Sequence, residues 1–307
     1  MVRMPVTTRK RAYIVLAIAI SATSFAAIFV RLAEAPGLVV AAYRMALAGL
    51  VLLPLTIRSL KITPPTRRTL WLSILAGMFL GAHFATWITS LSFTTVASST
   101  ILVATTPLWI TLAKWLFMSS PPSSLIVIGM VVATLGAAMI GFGDLGGGKS
   151  PLLGDALALA GAIFLAAYFL LGQASQRSGL GLQSYIGIAY GIAAVSLIPL
   201  PGIIGFPYFG YTFETVIWIS LLALLPTLIG HTGLNFAMKH LDATLVATLI
   251  LLEPVGATIL AYLFFKEIPP LMTILGALVI LLGITVTTQV SSARSPDGTC
   301  EETFVQN

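Results

Sequence analysis

Apolar residues occur in long runs along the chain, and short polar segments separate these runs. A helix that spans a lipid bilayer needs about 20 predominantly apolar residues. The runs therefore predict ten transmembrane helices. They cover residues 13–30, 38–57, 70–91, 96–118, 125–142, 153–174, 183–200, 215–238, 243–265 and 271–289.

The low content of charged residues agrees with this pattern. Charged side chains make up 8% of the 307 residues and hydrophobic ones 58%, whereas soluble domains carry about a quarter charged residues. The expected fold class is an all-α integral membrane protein with ten transmembrane helices.

The positions of the basic residues predict an orientation. If all ten runs cross the membrane, eleven Lys and Arg residues lie on the side of the termini, and Arg31, Lys149 and Lys266 lie on the other. Cytoplasmic segments carry the excess of such residues, so we expect both termini in the cytoplasm. The first run is longer than the roughly 7 to 15 apolar residues of a signal peptide, and we expect it to be retained in a prokaryotic inner membrane.

The sequence repeats itself at an offset of 147 residues. This single shift aligns tyrosine, tryptophan, proline and glycine positions of the two halves. The aligned pairs are Tyr43 with Tyr190, Trp71 with Trp218, Pro107 with Pro254, Gly129 with Gly276, and Gly136 with Gly283. The pattern predicts two five-helix repeats, at 12–142 and 151–290, between a cytoplasmic segment at 1–11 and a disordered cytoplasmic tail at 291–307. Because five is an odd number, the second repeat should be inverted, as in many secondary transporters.

The stretch GFGDLGGGKS, residues 141–150, matches a phosphate-binding loop from Gly143 onward. Such a loop requires a buried strand before it and a soluble helix after it, and here an apolar helix precedes it. We therefore interpret residues 143–150 as an external linker between the repeats and expect no nucleotide. Ser150 and Pro151 have the residue types of a helix start.

Three segments resemble the EamA-type branch of the drug/metabolite transporter superfamily. They are AAYRMALAGLVLLP (41–54), ATTPLWITLAKWLF (104–117) and LLEPVGATILAYLFFKEIPPLMTILGALVILLGI (251–284). The resemblance implies two inverted five-helix halves around a central cavity lined by the first, third, fourth, sixth, eighth and ninth helices. It also implies the export of amino acids or other small metabolites.

The resemblance extends to a few charged positions. Arg44, the pair Glu253–Pro254 and Glu267 match residues of the family pattern, and we expect structural roles for Arg44 and Glu267. The first repeat departs from the pattern because Ser120 stands at the position that corresponds to Glu267.

Glu253 is the most informative single residue. It lies near the centre of the predicted ninth helix, where a charge costs roughly 2.5 to 3.5 kcal/mol on insertion scales. Pro254 beside it and Pro107 in the matching helix remove backbone donors, so both helices should be interrupted between the two halves. Two interpretations remain open: a cavity carboxylate that binds a substrate ammonium or a proton, and a structural acid paired with Arg44. Lys114, near a helix end, is expected to be an interfacial anchor.

A polar and aromatic stripe is predicted on the third and eighth helices. His83 and Trp87, like His231 and Asn235, are four residues apart and share a helix face. Either they line the cavity or they form hydrogen bonds between helices.

Two further aromatic residues, Trp109 and Tyr168, are candidates for contact with a substrate, including cation–π contact with an ammonium group. The histidines lack the additional ligands of a metal site, and the single cysteine, Cys300, excludes a cysteine-based one. We expect neither a metal nor a cofactor. The pairs Gly77–Gly81 and Gly187–Gly191 have the spacing that lets helices pack closely.

The leading functional hypothesis is a transporter, most simply an exporter, of small amino-acid-like or aromatic solutes by alternating access. One alternative is a proton-coupled antiporter of cationic drugs that uses Glu253. A remote one is an intramembrane enzyme based on His83 and His231, but no catalytic motif supports it, and we expect no enzyme. The expected partners are a small-molecule substrate and lipid, with a homodimer left open and nucleic acid excluded.

Overall fold

The computed structural model describes residues 6–94, 99, 102–118, 121–142, 150–266, 268 and 271–293. Regular structure within these ranges is helical throughout, which confirms the all-α prediction. In the first half the helices are α1 Val6–Thr23, α2 Ala26–Leu32, α3 Gly37–Ile62, α4 Arg67–Ser90, α5 Thr106–Met118 and α6 Ser124–Phe142. In the second half they are α7 Pro151–Arg177, α8 Leu182–Leu197, α9 Pro199–Ile204, α10 Phe213–Leu222, the π-helix Ala223–His231, α11 Thr232–His240, α12 Ala243–Ile250, α13 Glu253–Phe265 and α14 Leu271–Ala293.

Seven helical segments are long and apolar enough to cross a membrane. They are Thr7–Leu32, Gly37–Ile62, Arg67–Ser90, Pro151–Arg177, Leu182–Ile204, Phe213–His240 and Ala243–Phe264. Two further apolar stretches, Ser124–Gly136 and Ile274–Val286, are shorter. The total of ten spans therefore stays a prediction. So do the roles of Glu267 and of the linker at 143–149, which lie outside the described residues.

Capping residues set where several helices begin. The Thr66 hydroxyl accepts a hydrogen bond from the Thr69 backbone N–H at 3.2 Å, and Thr212 accepts one from Thr215 at the same distance. These threonines are N-caps, and they begin the corresponding helices α4 and α10 of the two halves. Helix α7 begins at Pro151, as the residue types predicted.

Both predicted proline interruptions are present. A turn at Ala104–Thr105 precedes α5, and a turn at Leu251–Leu252 separates α12 from α13. In each case the proline is the second residue of the helix that follows the turn. At that position its missing N–H leaves no intrahelical hydrogen bond unmade.

A third interruption, at Ser24–Phe25, was not predicted. The hydroxyls of Thr23 and Ser24 both donate to the carbonyl of Ile20, at 3.0 and 2.9 Å. Side-chain bonds of this kind compete with the backbone ladder and often bend helices. The first predicted span is therefore divided into α1 and α2.

The eighth predicted span contains a π-helix, Ala223–His231. Pro226 lies inside it, and the Thr227 hydroxyl donates to the carbonyl of Leu222, five residues earlier, at 3.1 Å. A π turn takes one more residue than an α turn. This explains why His83 and His231 are 148 residues apart, although the repeat offset elsewhere is 147.

Helices α6 and α14, which are repeat equivalents, pack on each other through glycine. A Cβ added to Gly136 would lie 2.7 Å from the carbonyl oxygen of Gly276, and one added to Gly283 would lie 2.5 Å from that of Gly129. Gly276 and Gly283 follow Gly129 and Gly136 by 147 residues. The contact is therefore isologous, as between surfaces related by a two-fold axis.

The two G-x-x-x-G pairs serve helix packing, as predicted. Gly77 and Gly81 of α4 lie against α8, and Gly187 of α8 lies against the side chain of Thr56 on α3. Gly191 itself faces open space, and its backbone approaches Gly49 of α3. These contacts join α3, α4 and α8, and the two predicted proline interruptions lie in other helices.

Candidate functional site

A cavity of about 80 Å³ lies where the helix interruptions meet. Its walls combine polar side chains with aromatic and aliphatic ones. The lining residues are Thr23, Ala26, Arg44, His83, Trp87, Val103, Ala104, Thr106, Pro107, Leu165, Phe169, His231, Leu234, Ala247, Ile250, Leu251, Glu253 and Pro254. Predicted site residues from both halves thus meet in one space.

Glu253 begins α13 and contacts the interruption of the first helix. Its backbone carbonyl accepts a hydrogen bond from the Ser24 hydroxyl at 3.4 Å, and Gly256 packs on the same serine. Its side chain lines the cavity together with Thr23 and Arg44. Across the described residues no ion pair joins Glu253 to Arg44. The choice between a cavity carboxylate and a structural acid stays open at this point.

Arg44 is 1% exposed, and its guanidinium is hydrogen-bonded through Nε. Its Nε donates to the hydroxyl of Thr227 at 2.6 Å, and its Cζ lies 4.1 Å from the centroid of the Phe84 ring, a cation–π contact. The Nη1 nitrogen is buried and has no hydrogen-bond partner within the described part of the chain. The guanidinium is therefore fixed in position but incompletely bonded.

His83 is oriented by its Nδ1 nitrogen, which lies 2.9 Å from the carbonyl oxygen of Gly161. Since a carbonyl only accepts, Nδ1 carries the proton and Nε2 is left as an acceptor. The ring also stacks on Trp87, with centroids 5.8 Å apart and planes within 5°. His83 and Trp87 thus form one flat wall of the cavity.

His231 packs on Phe84, with ring centroids 5.3 Å apart in a T-shaped contact. Its Nδ1 is buried and lacks a partner among the residues that the structure describes. Its carbonyl accepts a hydrogen bond from Asn235 Nδ2 at 2.7 Å, and the same amide donates to the Tyr168 hydroxyl. Asn235 and Tyr168 therefore support the helix behind His231.

Three predicted site residues do not line the cavity. Asn235 and Tyr168 lie behind it, and Trp109 donates from Nε1 to the hydroxyl of Thr105 at 3.1 Å, within the interruption before α5. Their contacts are with the protein itself, so a direct role in binding stays a prediction for them.

Sequence reasoning missed three polar or aromatic contributors. Phe84 packs on both Arg44 and His231, Thr23 lines the cavity with Glu253, and Thr106 lines it from α5. Thr106 precedes Glu253 by the repeat offset of 147. Applying that offset to Glu253 would have identified it.

Lys114 forms an ion pair that the sequence did not predict, and its role as an interfacial anchor stays a prediction. Its Nζ lies 2.6 Å from the carboxylate of Asp242, in the connection between α11 and α12. Asp242 also caps α12 by accepting from the Thr244 backbone N–H at 2.9 Å. Burial raises the pKa of Asp242, but the Lys114 charge and these hydrogen bonds outweigh burial and lower that pKa overall. The ion pair joins the first half of the chain to the second.

A helical membrane protein with a polar cavity at paired helix interruptions has the architecture of a secondary transporter. The sequence profile of the EamA-like transporter family matches residues 10–142 and 152–289. The chain belongs to this family, as its resemblance to the EamA-type branch predicted.

Named relatives and a solved structure agree with this assignment. An uncharacterized transporter of Archaeoglobus fulgidus is 25% identical over 273 residues, which cover 87% of this chain and 93% of the relative. The uncharacterized transporter YdfC of Bacillus subtilis is 25% identical over 212 residues, 68% of each chain. One crystal structure matches with a TM-score of 0.74 at 18% identity, covering 92% of this chain and 99% of its own, and shows the fold alone. The protein is therefore a membrane transporter.

Proposed function

We propose that the protein exports small amino-acid-like or aromatic solutes by alternating access around this cavity. The observation that carries the proposal is the meeting of three helix interruptions at one cavity. Among the described lining residues Glu253 is the one carboxylate, and it shares the cavity with the stacked rings of His83 and Trp87. Paired interruptions in corresponding helices are a feature of transporter binding sites. Glu253 would bind an ammonium group, and the stacked rings would pack against the side chain of the solute.

The size of the cavity supports small cargo. Its volume of about 80 Å³ is well below the roughly 300 to 1,000 Å³ of sites for drug-sized ligands. A solute of several heavy atoms would therefore fit only as the two halves move apart, which alternating access requires in any case.

Uptake into sealed proteoliposomes tests the proposal. The panel is alanine, threonine, leucine, phenylalanine and tryptophan, each radiolabelled, with protein-free vesicles as the control. We expect at least one member to enter several-fold faster with protein than without. If none does, the proposal is wrong.

A second candidate, proton-coupled antiport of cations, rests on Glu253 itself. It lines the cavity beside Thr23 and can exchange a proton for a cationic solute. Glu253→Gln separates the two candidates: antiport predicts that the variant loses the pH dependence of transport, whereas unchanged pH dependence would remove this role.

The membrane and orientation belong to the same proposal. The asymmetric distribution of Lys and Arg supports a prokaryotic inner membrane with both termini in the cytoplasm. Accessibility of single cysteines placed after Met1 and before Asn307, in a Cys300→Ser background, to an impermeant thiol reagent tests it. Labelling of either end from outside intact cells would contradict it.

A further inference from the structure

Three buried nitrogens of cavity-lining residues have no hydrogen-bond partner among the described residues: Arg44 Nη1, His231 Nδ1 and Trp87 Nε1. Two of them, on Arg44 and His231, belong to side chains that both pack against Phe84. Arg44 is 1% and His231 8% exposed. Arg44 Cζ lies 4.1 Å, and the His231 ring centroid 5.3 Å, from the centroid of the Phe84 ring.

The surroundings fix these groups rather than leave them loose. Arg44 is tied through Nε to Thr227, which lies four residues before His231 on the same π-helix. Thr227 occupies Nε and Phe84 packs against the guanidinium, while Nη1 remains for another acceptor. A buried charged donor without an acceptor is costly, and an arginine fork fits a carboxylate closely. In its tautomer with the proton on Nδ1, His231 supplies a second donor.

We propose that Arg44 Nη1 and His231 Nδ1 form a carboxylate-binding subsite. The proposal rests on the transport function proposed above and narrows its cargo to solutes that carry both a carboxylate and an ammonium group. The carboxylate accepts from Arg44 and His231, and the ammonium binds Glu253 in the same cavity. Arg44 is then a substrate-binding residue and not only a structural charge.

Matched solutes test the subsite in the unmodified protein. Each amino acid is compared with its amine and its acid: alanine with ethylamine and propionate, leucine with 3-methylbutylamine and 4-methylpentanoate, phenylalanine with phenethylamine and 3-phenylpropionate. Competition against the best amino acid of the panel is measured in proteoliposomes. Because hydrogen bonds to charged groups are the stronger ones, we expect each amine to compete about tenfold or more weakly than its amino acid.

Variants assign the preference to Arg44. Arg44→Gln should abolish the difference between amino acid and amine, and Arg44→Lys should restore part of it, because the charge remains but the planar fork is lost. Thr227→Val removes the partner of Nε and should weaken the preference without removing the charge. Arg58→Gln, on the exposed part of the same helix α3, is the matched control and should keep the full preference.

The outcomes separate the subsite from the transport function. If an amino acid is transported but its amine competes equally well in the wild type, the subsite is wrong and the transport proposal stands. If no amino acid is transported, the transport proposal fails and the subsite with it. Should Arg44→Gln not yield a monodisperse protein in detergent, the wild-type comparison and Thr227→Val still decide. An unchanged preference in Thr227→Val together with Arg44→Lys would overturn the role of Arg44.

Discussion

The two proline interruptions have the same backbone design but different chemistry. Thr106–Pro107 and Glu253–Pro254 are 147 residues apart, and each follows a short turn at the cavity. In the first half, the Thr106 hydroxyl donates to the carbonyl of Val103 at 2.7 Å, the carbonyl that Pro107 leaves without its helical donor. An ionised Glu253 has no proton to donate to the corresponding carbonyl of Ile250. Glu253 therefore does not repeat the contact that Thr106 makes, and we expect its carboxylate to bind a solute or a proton instead.

Other charged residues show the same difference between the halves. The position 147 residues after Arg44 is Gly191, and the one after Lys114 is Ala261. The backbone and the glycine contacts are thus shared by the two halves, whereas the charges are not. In the proposed mechanism, the shared scaffold moves between two states and the unshared charges select the solute.

The largest expected effect follows from removing the acid. Glu253→Gln should reduce amino acid transport by about 10- to 100-fold, the equivalent of a lost hydrogen bond to a charged group. Initial rates in proteoliposomes, normalised to inserted protein, measure this change.

Moving the acid is the control for that result. In the double variant Thr106→Glu with Glu253→Thr, the carboxylate returns to the cavity from the opposite half. We expect no recovery of transport, because Arg44 has no counterpart at Gly191. Recovery to wild-type rates would show that the two halves are interchangeable.

The glycine contact between α6 and α14 tests whether the two halves share the same packing. Gly136→Ala and Gly283→Ala each place a methyl group against the backbone of the other helix. Each should destabilise the protein by about 1 to 3 kcal/mol, the usual cost of overpacking, and the two losses should be similar. Thermal unfolding in detergent measures them, with Gly191→Ala as the control because no atom lies within 4 Å of its new Cβ. A loss confined to one variant would contradict an isologous contact.

A smaller effect is expected at Thr106. Thr106→Val keeps the shape of the side chain and leaves the carbonyl of Val103 without its hydroxyl donor. The expected loss of stability is about 1 kcal/mol, with transport reduced far less than in Glu253→Gln. The same unfolding and transport measurements check both values, and equal transport losses in the two variants would remove the distinction between the interruptions.

The smallest effect is expected at the ion pair of Lys114 with Asp242, because the side chain of Asp242 is 45% exposed. Asp242→Asn keeps a helix cap but loses the ion pair, for a cost of roughly 0.2 to 1 kcal/mol. Since the pKa of Asp242 is lowered in the folded state, the stabilisation is present above the ordinary aspartate pKa of about 3.9 and is lost as the pH falls through the lowered value. Unfolding temperatures of wild type and variant should differ at pH 7 and converge in strong acid. If the two unfolding temperatures still differed in strong acid, the ion pair would not be the cause of the difference.

Much of the scaffold is predictable because its signals are local or periodic. Apolar runs give the helices, and Pro107 and Pro254 give two interruptions. The interruption at Ser24 could not be predicted from the sequence. It depends on two hydroxyls that donate to one carbonyl, and many helices accommodate such bonds without an interruption. The π-helix around Pro226 left one sign in the sequence, the shift of the histidine spacing from 147 to 148.

The cavity is only partly predictable. Spacing placed His83, Trp87 and His231 on helix faces, but it did not separate the lining His231 from Asn235 one turn further on, because that depends on how far each helix is rotated. The partner of Lys114 was also missed, since Asp242 lies 128 residues away in sequence. Pairings at such distances follow from tertiary packing, which no local pattern encodes.

The contact between Gly136 and Gly276, repeated by Gly283 and Gly129, presents the same surface on both sides. Two separately synthesised repeats could therefore recognise each other by the contacts that here lie within one molecule. A chain cut between Phe142 and Ser150 would carry one complementary face on each fragment. Within this one chain, the two repeats thus meet as two identical subunits of a dimer would.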